Sequence, residues 1–86
     1  MPFSCQIITP EDTVFKGDVI SINAPGLLGR FQTFKNHAPI TYALTKGVLN
    51  IDLGTEKKSF EIDSGIFEIT TEHQAIILAD RAVAVS

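Results

Sequence analysis

Residues that favour turns recur along this chain every eight to twelve residues, and short apolar segments fill the intervals between them. Pro10, Gly17, Gly47 and Gly54 are examples of these breakers. Antiparallel sandwiches and barrels have this spacing. No segment shows the apolar periodicity of a helix, and the chain contains neither an internal repeat nor a linker. The sequence therefore predicts an all-β protein.

Individual strands follow from the apolar pattern. Residues 48–53 and 57–63 alternate between apolar and polar, which is typical of strands with one buried face. A strand beginning at Thr13 is predicted to end at Gly17-Asp18. Residues 75–79 are almost continuously apolar, which predicts a strand covered on both faces. The tail, residues 80–86, is assigned to no element because its pattern is ambiguous.

Composition limits the classes of function that remain. With 86 residues the chain has room for one domain, residues 1–86. Its formal net charge is −3 and its basic residues are scattered, which argues against a nucleic-acid partner. Cys5 is the only cysteine, so no internal disulfide is possible. The sequence has no signal-peptide pattern and no apolar run of about 20 residues. We therefore expect any membrane association to go through partners.

The longest interruption of the strand pattern covers residues 24–40. Pro25-Gly26 predicts a type II turn, in which Gly26 would take a positive φ. Leu27 and Leu28 stand between glycines at the expected turn, where they are hard to bury locally. We therefore predict that a partner covers these leucines. Residues 30–34 are strand-like within this interruption.

A catalytic or metal site is not visible in the sequence. His37 and His73 are the only histidines, and no nucleophile motif such as G-x-S-x-G accompanies them. Two histidines without a cysteine pair provide no zinc spacing. The preferred interpretation of His37 is a loop residue whose ring is hydrogen-bonded to backbone, and His73 is expected to be an exposed turn residue. No cofactor is predicted.

Several short motifs occur in a fixed order along the chain. Within the interruption and just after it they are Ala24-Pro25-Gly26, Gly29, Phe31, His37-Ala38-Pro39 and Leu44-Thr45-Lys46-Gly47. Before and after it, further segments are Ile8-Thr9-Pro10-Glu11, Val14-Phe15 with Gly17, Ser64-Gly65-Ile66-Phe67-Glu68-Ile69 and Ile76-Ile77-Leu78-Ala79-Asp80. This ordered set resembles the epsilon subunit of F-type ATP synthase. The set covers nearly the whole chain and is far more specific than any single motif.

This resemblance implies a ten-stranded antiparallel β-sandwich of two five-stranded sheets. It also implies a non-catalytic rotor subunit that couples the gamma subunit to the membrane c-ring in a proton-translocating synthase. The complex would lie at the cytoplasmic face of the bacterial inner membrane, with this subunit peripheral to it. The residues implied on the c-ring side are Leu27, Leu28, Arg30 and Phe31. Those implied on the gamma side are His37, Ala38, Pro39 and Tyr42.

Two departures from the family pattern affect these expectations. Arg30 stands where many members carry an acid, which reverses the charge at the proposed c-ring contact. As an exposed tip charge, Arg30 is expected to contribute little to stability. The helical hairpin that follows this domain in most members has no counterpart before Ser86, so the chain resembles a short form. ATP binding and inhibition by that hairpin are accordingly not expected.

Two other classes of function stay open at this point. The first is a non-catalytic β-sandwich binding module with an unrelated protein partner. The second is a small hydrolase that uses His37, although the sequence assembles no complete site for it. Binding of the purified chain to gamma would favour the rotor hypothesis. Turnover that is lost on His37→Ala would favour the hydrolase.

Overall fold

The computed structural model describes residues 2–85, and within this range the regular structure consists of ten strands. They are β1 (Phe3–Ile8), β2 (Thr13–Val19), β3 (Ser21–Gly26), β4 (Gly29–Thr33), β5 (Ile40–Leu44), β6 (Gly47–Asp52), β7 (Lys57–Ile62), β8 (Gly65–Ile69), β9 (Ala75–Ala79) and β10 (Ala82–Val85). The described residues contain no helix with the length and hydropathy needed to cross a membrane. The predicted all-β class is confirmed.

The ten strands divide into two halves of five. One half has the order β10-β7-β6-β3-β4 and the other has the order β5-β8-β9-β1-β2. A single residue pair, Gly26 with Leu44, joins the halves through β3 and β5. The two predicted sheets are therefore continuous with each other. One pairing also differs from the antiparallel expectation, because β1 runs parallel to β9 from Cys5 opposite Ala75 to Ile8 opposite Leu78.

The core lies between the two halves, where alternate residues of each strand meet. Phe67, from the middle of β8, is the largest fully buried side chain. Residues from both halves surround it or extend the same cluster: Phe3, Cys5, Ile7, Val19, Ile22, Ala24, Leu44, Leu49, Ile51, Phe60, Ile62, Ile69, Ala75, Ile77 and Ala79. Because strand side chains alternate, strands such as β1, β8 and β9 bury every second residue in this core.

Two sequence predictions about strands were wrong. The second strand does not end at Gly17-Asp18, because both residues pair with β1 and the strand continues to the fully buried Val19. The ninth strand is not covered on both faces. Its inner residues are buried, but the outer Leu78 is 49% exposed and lies opposite Ile66, which is 42% exposed. A continuous apolar run predicts a strand, but it does not show whether each face of that strand is covered by other residues.

Strand directions place the connections at two ends of the sandwich. The β3–β4 turn lies at the same end as the β1–β2, β5–β6, β7–β8 and β9–β10 connections. The β4–β5 and β8–β9 connections lie at the opposite end. The two groups of residues predicted to contact partners are therefore separated along the strand direction.

Thr33 is buried within this core without a partner for its hydroxyl group. Its exposed fraction is 0%, and Oγ1 has no hydrogen-bond partner in the described part of the chain. A buried hydroxyl that loses its bonds to water without replacement destabilises the fold. Thr33 thus marks a site where the sequence is not optimal for stability.

We expect Thr33→Val to raise the free energy of unfolding by about 1 kcal/mol, because the unpaired hydroxyl is replaced by a methyl group of similar size. Urea denaturation followed by circular dichroism measures the change. The control is Thr41→Val on the exposed outer face of β5, which should change stability by less than about 0.5 kcal/mol. A loss of stability in Thr33→Val would show that the hydroxyl is favourably bonded.

Cys5 is fully buried in β1 and is a free thiol. Burial disfavours the thiolate and raises the pKa of Cys5 from 9.0 to about 12. Above pH 9 the unfolded chain therefore loses a proton that the folded chain keeps. Because the unfolded state then binds fewer protons, the free energy of unfolding falls as pH rises from 9 towards 12.

We expect this dependence to be visible as a loss of about 1 kcal/mol in unfolding free energy between pH 8 and pH 10 that Cys5→Ala does not share. The alanine variant is less stable at every pH because it leaves a small cavity. Parallel urea titrations at both pH values isolate the difference, since the other ionisable groups are common to both proteins. If the unfolding free energies of the two proteins changed equally with pH, the pH dependence could not be assigned to Cys5.

Candidate functional site

The most exposed apolar side chains form the tip of the β3–β4 hairpin. Leu27 is 64% exposed and Leu28 is 102% exposed, as the sequence predicted for two leucines between glycines. The strands pair up to Gly26 opposite Gly29, so these leucines alone form the turn. Two backbone bonds of 2.9 Å hold this hairpin to β5 and to the residue that follows it, from Leu27 N–H to the Ala43 carbonyl and from Thr45 N–H to the Pro25 carbonyl.

The predicted Pro25-Gly26 turn was wrong, because both residues lie in β3 and are buried. The positive φ of this hairpin belongs to Gly29, at +130°. Gly26 is required for a different reason, which is the close approach of neighbouring groups. A Cβ at Gly26 would lie 2.6 Å from the Gly29 carbonyl oxygen and 2.9 Å from Phe31 Cδ1. The sequence pattern therefore identified Gly26 as a position that needs glycine. The reason is the lack of space for a side chain, and not the positive φ of a turn.

Aromatic packing connects the hairpin to the core. The rings of Phe31 and Tyr42 stack with centroids 4.2 Å apart and planes 25° apart. Phe31 also meets the buried Phe67 edge to face, with centroids 5.1 Å apart. Such pairs stabilise a structure beyond the area they bury. Tyr42 therefore belongs structurally to the hairpin, although it was predicted on the gamma side with His37.

A groove of about 410 Å³ lies beside the tip, between the hairpin and β5. Its walls include Leu27, Leu28, Phe31, Tyr42 and the backbone of neighbouring strand residues. Among its lining residues, Arg30 alone carries a charge. The groove thus presents an apolar surface of concave shape next to two exposed leucines. This combination suits a contact with an apolar protein segment.

Arg30 does not extend freely from the tip. It lies on the outer face of the hairpin, where Nε donates a hydrogen bond of 2.9 Å to Asn23 Oδ1 and Nη2 donates to the same oxygen. Nη2 also donates to the Val48 carbonyl at 2.7 Å. The side chain therefore bridges β4, β3 and β6. No sequence motif predicted this bridge, because Val48 contributes only its backbone oxygen.

His37 lies at the opposite end of the sandwich, in the β4–β5 connection. Its Nδ1 is 2.9 Å from the Ala38 carbonyl oxygen, in agreement with the loop-anchoring interpretation. The exposed His73 places its own Nδ1 3.2 Å from the His37 carbonyl oxygen. If each Nδ1 carries the proton, the His73 bond joins the β8–β9 connection to the β4–β5 connection, and the His37 bond stays within the β4–β5 connection. Asn36 at φ 66° and His73 at φ 61° adopt the left-handed conformation in these turns.

The structure thus separates the predicted contact residues into two groups. Leu27, Leu28, Arg30 and Phe31 lie together on the hairpin, and Tyr42 joins them. His37, Ala38 and Pro39 lie at the other end, beside the 56% exposed Phe34. Phe34 follows β4 and is on the surface, although phenylalanine is usually a core residue. Within the described residues, no three histidine, cysteine or carboxylate side chains come together as metal ligands would.

The fold is that of a β-sandwich domain with an exposed apolar hairpin tip beside a groove. The chain belongs to the family of ATP synthase delta/epsilon chains, since it matches the model of their β-sandwich domain over residues 2–85. The ATP synthase epsilon chain of Chlorobium limicola is 40% identical over 79 residues, which cover 91% of this chain and 89% of that relative.

Two solved structures have a similar fold. A chain of the mitochondrial ATP synthase of Euglena gracilis, determined as an OSCP/F1/c-ring assembly, matches with a TM-score of 0.90 at 15% identity. A chain of the central stalk and c-ring structure from Tetrahymena thermophila mitochondrial ATP synthase matches with a TM-score of 0.84 at 17% identity. Each match covers 96% of this chain, and 53% and 66% of the respective neighbour. At these identities the similarity concerns the fold.

We expect Arg30→Met to lower the free energy of unfolding by about 1 kcal/mol, because Asn23 and the Val48 carbonyl lose their charged donor while the aliphatic stem is kept. Urea denaturation measures this loss. Lys35→Met is the matched control, since Lys35 is an exposed cation in the β4–β5 connection, and it should change stability by less than about 0.5 kcal/mol. Equal effects of the two substitutions would show that the bridge does not stabilise the fold.

Proposed function

We propose that this chain is a rotor-stalk subunit of an F-type ATP synthase, where it couples the gamma subunit to the c-ring during ATP synthesis. The observation that carries the proposal is the family match over residues 2–85. The Tetrahymena structure with a similar fold is one of a central stalk and c-ring, which supports this position. The complex would lie peripherally at the cytoplasmic face of the bacterial inner membrane and translocate protons.

The hairpin is the surface that we assign to the c-ring. Leu28 is fully exposed and Leu27 is 64% exposed, so their apolar surface is available for burial by a partner. The backbone bonds to β5 and the stacking of Phe31 on Tyr42 hold the tip in one position relative to the core. A tip fixed in this way transmits force to the sandwich instead of bending. Arg30 contributes by bracing the hairpin against β6.

The connection that contains His37, Ala38 and Pro39 is the surface that we assign to gamma. It lies at the far end of the strands from the leucine tip, so one sandwich would contact both partners at once. His73 supports the connection by bonding the His37 carbonyl. Tyr42 acts through its packing on Phe31, and we assign it no direct contact with gamma.

The role proposed for this subunit is mechanical and not catalytic. His37 and His73 bond backbone carbonyls, and neither makes a hydrogen bond to a nucleophilic side chain among the described residues. The residues that line the groove beside the tip include no histidine and no carboxylate that could serve there as a base or an orienting acid. The chain would therefore affect turnover of the complex only by coupling rotation.

We expect Leu27→Ser/Leu28→Ser to weaken binding to the isolated c-ring by about a hundredfold, because two exposed leucine side chains lose their apolar contribution. Binding to gamma should stay unchanged, since that surface lies at the other end. Surface plasmon resonance with each purified partner subunit measures the two affinities separately.

The matched control is Val83→Ser, which removes a half-exposed apolar side chain from β10, away from the hairpin. This variant should bind the c-ring as the unmodified chain does. Equal weakening by both substitutions would contradict the assignment of the tip. Failure of the unmodified chain to bind either gamma or the c-ring would contradict the rotor proposal itself.

A further inference from the structure

A second cleft lies on the side of the sandwich formed by β2, β7 and β10. Strands β2 and β10 are the two ends of the hydrogen-bonded path, and each has one edge that pairs with no other strand in the described range. The cleft has a volume of about 370 Å³ and contains none of the hairpin or His37 residues. It is therefore separate from both surfaces assigned to the rotor role.

The floor of this cleft is apolar and aromatic. The rings of Phe15 from β2 and Phe60 from β7 approach with centroids 6.3 Å apart and planes inclined by 58°. Ala84 and Val85 from β10 also line it, and Val85 is 46% exposed. Phe15 is only half-buried, so its ring is available to an incoming apolar side chain.

The charged residues that line the cleft are both basic. Lys57 and Lys58 are exposed and line it, whereas no acidic residue does. Lys58 Nζ lies 5.9 Å from the centroid of the Phe15 ring, which holds an ammonium group above the aromatic floor. This arrangement contrasts with the chain as a whole, whose formal net charge is −3. The two lysines therefore favour a carboxylate at this cleft, with Lys58 at the aromatic floor and Lys57 also bordering Asp52 of β6.

The edge of β10 is the one best suited to accept another strand. Its residues Ala82 to Val85 include no charged residue and no proline, both of which commonly protect an edge strand. The edge of β2 is different, because it carries Lys16 and Asp18 and its pairing with β1 shifts in register between Ile7 and Ile8. Unpaired backbone groups on β10 can bond an extended peptide.

We propose that this cleft binds an extended segment of a partner protein, which adds a strand to β10, inserts apolar side chains over Phe15 and Phe60, and directs carboxylates towards Lys57 and Lys58. A second copy of this chain fits less well, since its own β10 carries no carboxylate to place against these lysines. The proposal does not depend on the rotor assignment, because the two involve different residues.

The test uses the full chain and a short capped peptide of alternating valine and glutamate, with a peptide of alternating valine and lysine for comparison. Titrations followed by amide chemical shifts should show saturable changes at residues 82–85 and 57–58 with the glutamate peptide only. Lys57→Glu/Lys58→Glu should weaken that binding by about tenfold or more. Both lysines are exposed, so this variant is expected to fold.

The control is Lys35→Glu/Lys46→Glu, which changes the net charge equally at exposed positions outside the cleft and should leave the affinity unchanged. Four outcomes would overturn the proposal: no saturable binding, equal binding of both peptides, shifts confined to the hairpin groove, or an affinity unaffected by reversal of Lys57 and Lys58. Self-association through β10, detected by sedimentation, would assign the edge to a second copy instead.

Discussion

The close approach of three strands at Gly26 is the constraint on which the rest of the structure depends. Gly26 pairs with Gly29 across the hairpin and with Leu44 across the junction of the two sheets. Because a side chain there would overlap the Gly29 carbonyl and the Phe31 ring, glycine allows both pairings to form together. The hairpin is consequently joined to both halves of the sandwich, and its leucine tip is held firmly.

Rigidity near the tip comes from interactions of different kinds that reinforce one another. Backbone bonds fix the turn to β5, the stack of Phe31 on Tyr42 fixes the inner face, and Arg30 fixes the outer face to β6. A subunit that transmits rotation needs its contact surface to move with its core. The polar bridge of Arg30 also gives this residue a structural role besides any contact with a partner.

The two clefts of the sandwich lie at different open edges and differ in charge. The groove between β4 and β5 is apolar and lies beside the exposed leucines, whereas the cleft between β2 and β10 is bordered by lysines. Both arise because a sandwich of this topology leaves end strands without neighbours. One edge carries the surface proposed for the rotor contact, and the other carries the lysine-bordered surface proposed for a different segment.

The sequence by itself determined the all-β class, strands such as those within residues 48–53 and 57–63, and the exposure of Leu27 and Leu28, because alternation and turn residues are local properties. The ordered motifs also indicated the family. Tertiary structure alone decided the parallel β1–β9 pair, the bonding of Arg30 to Val48 and the position of Tyr42 beside Phe31. Each of these joins residues from different strands, and local patterns carry no information about which strands become neighbours.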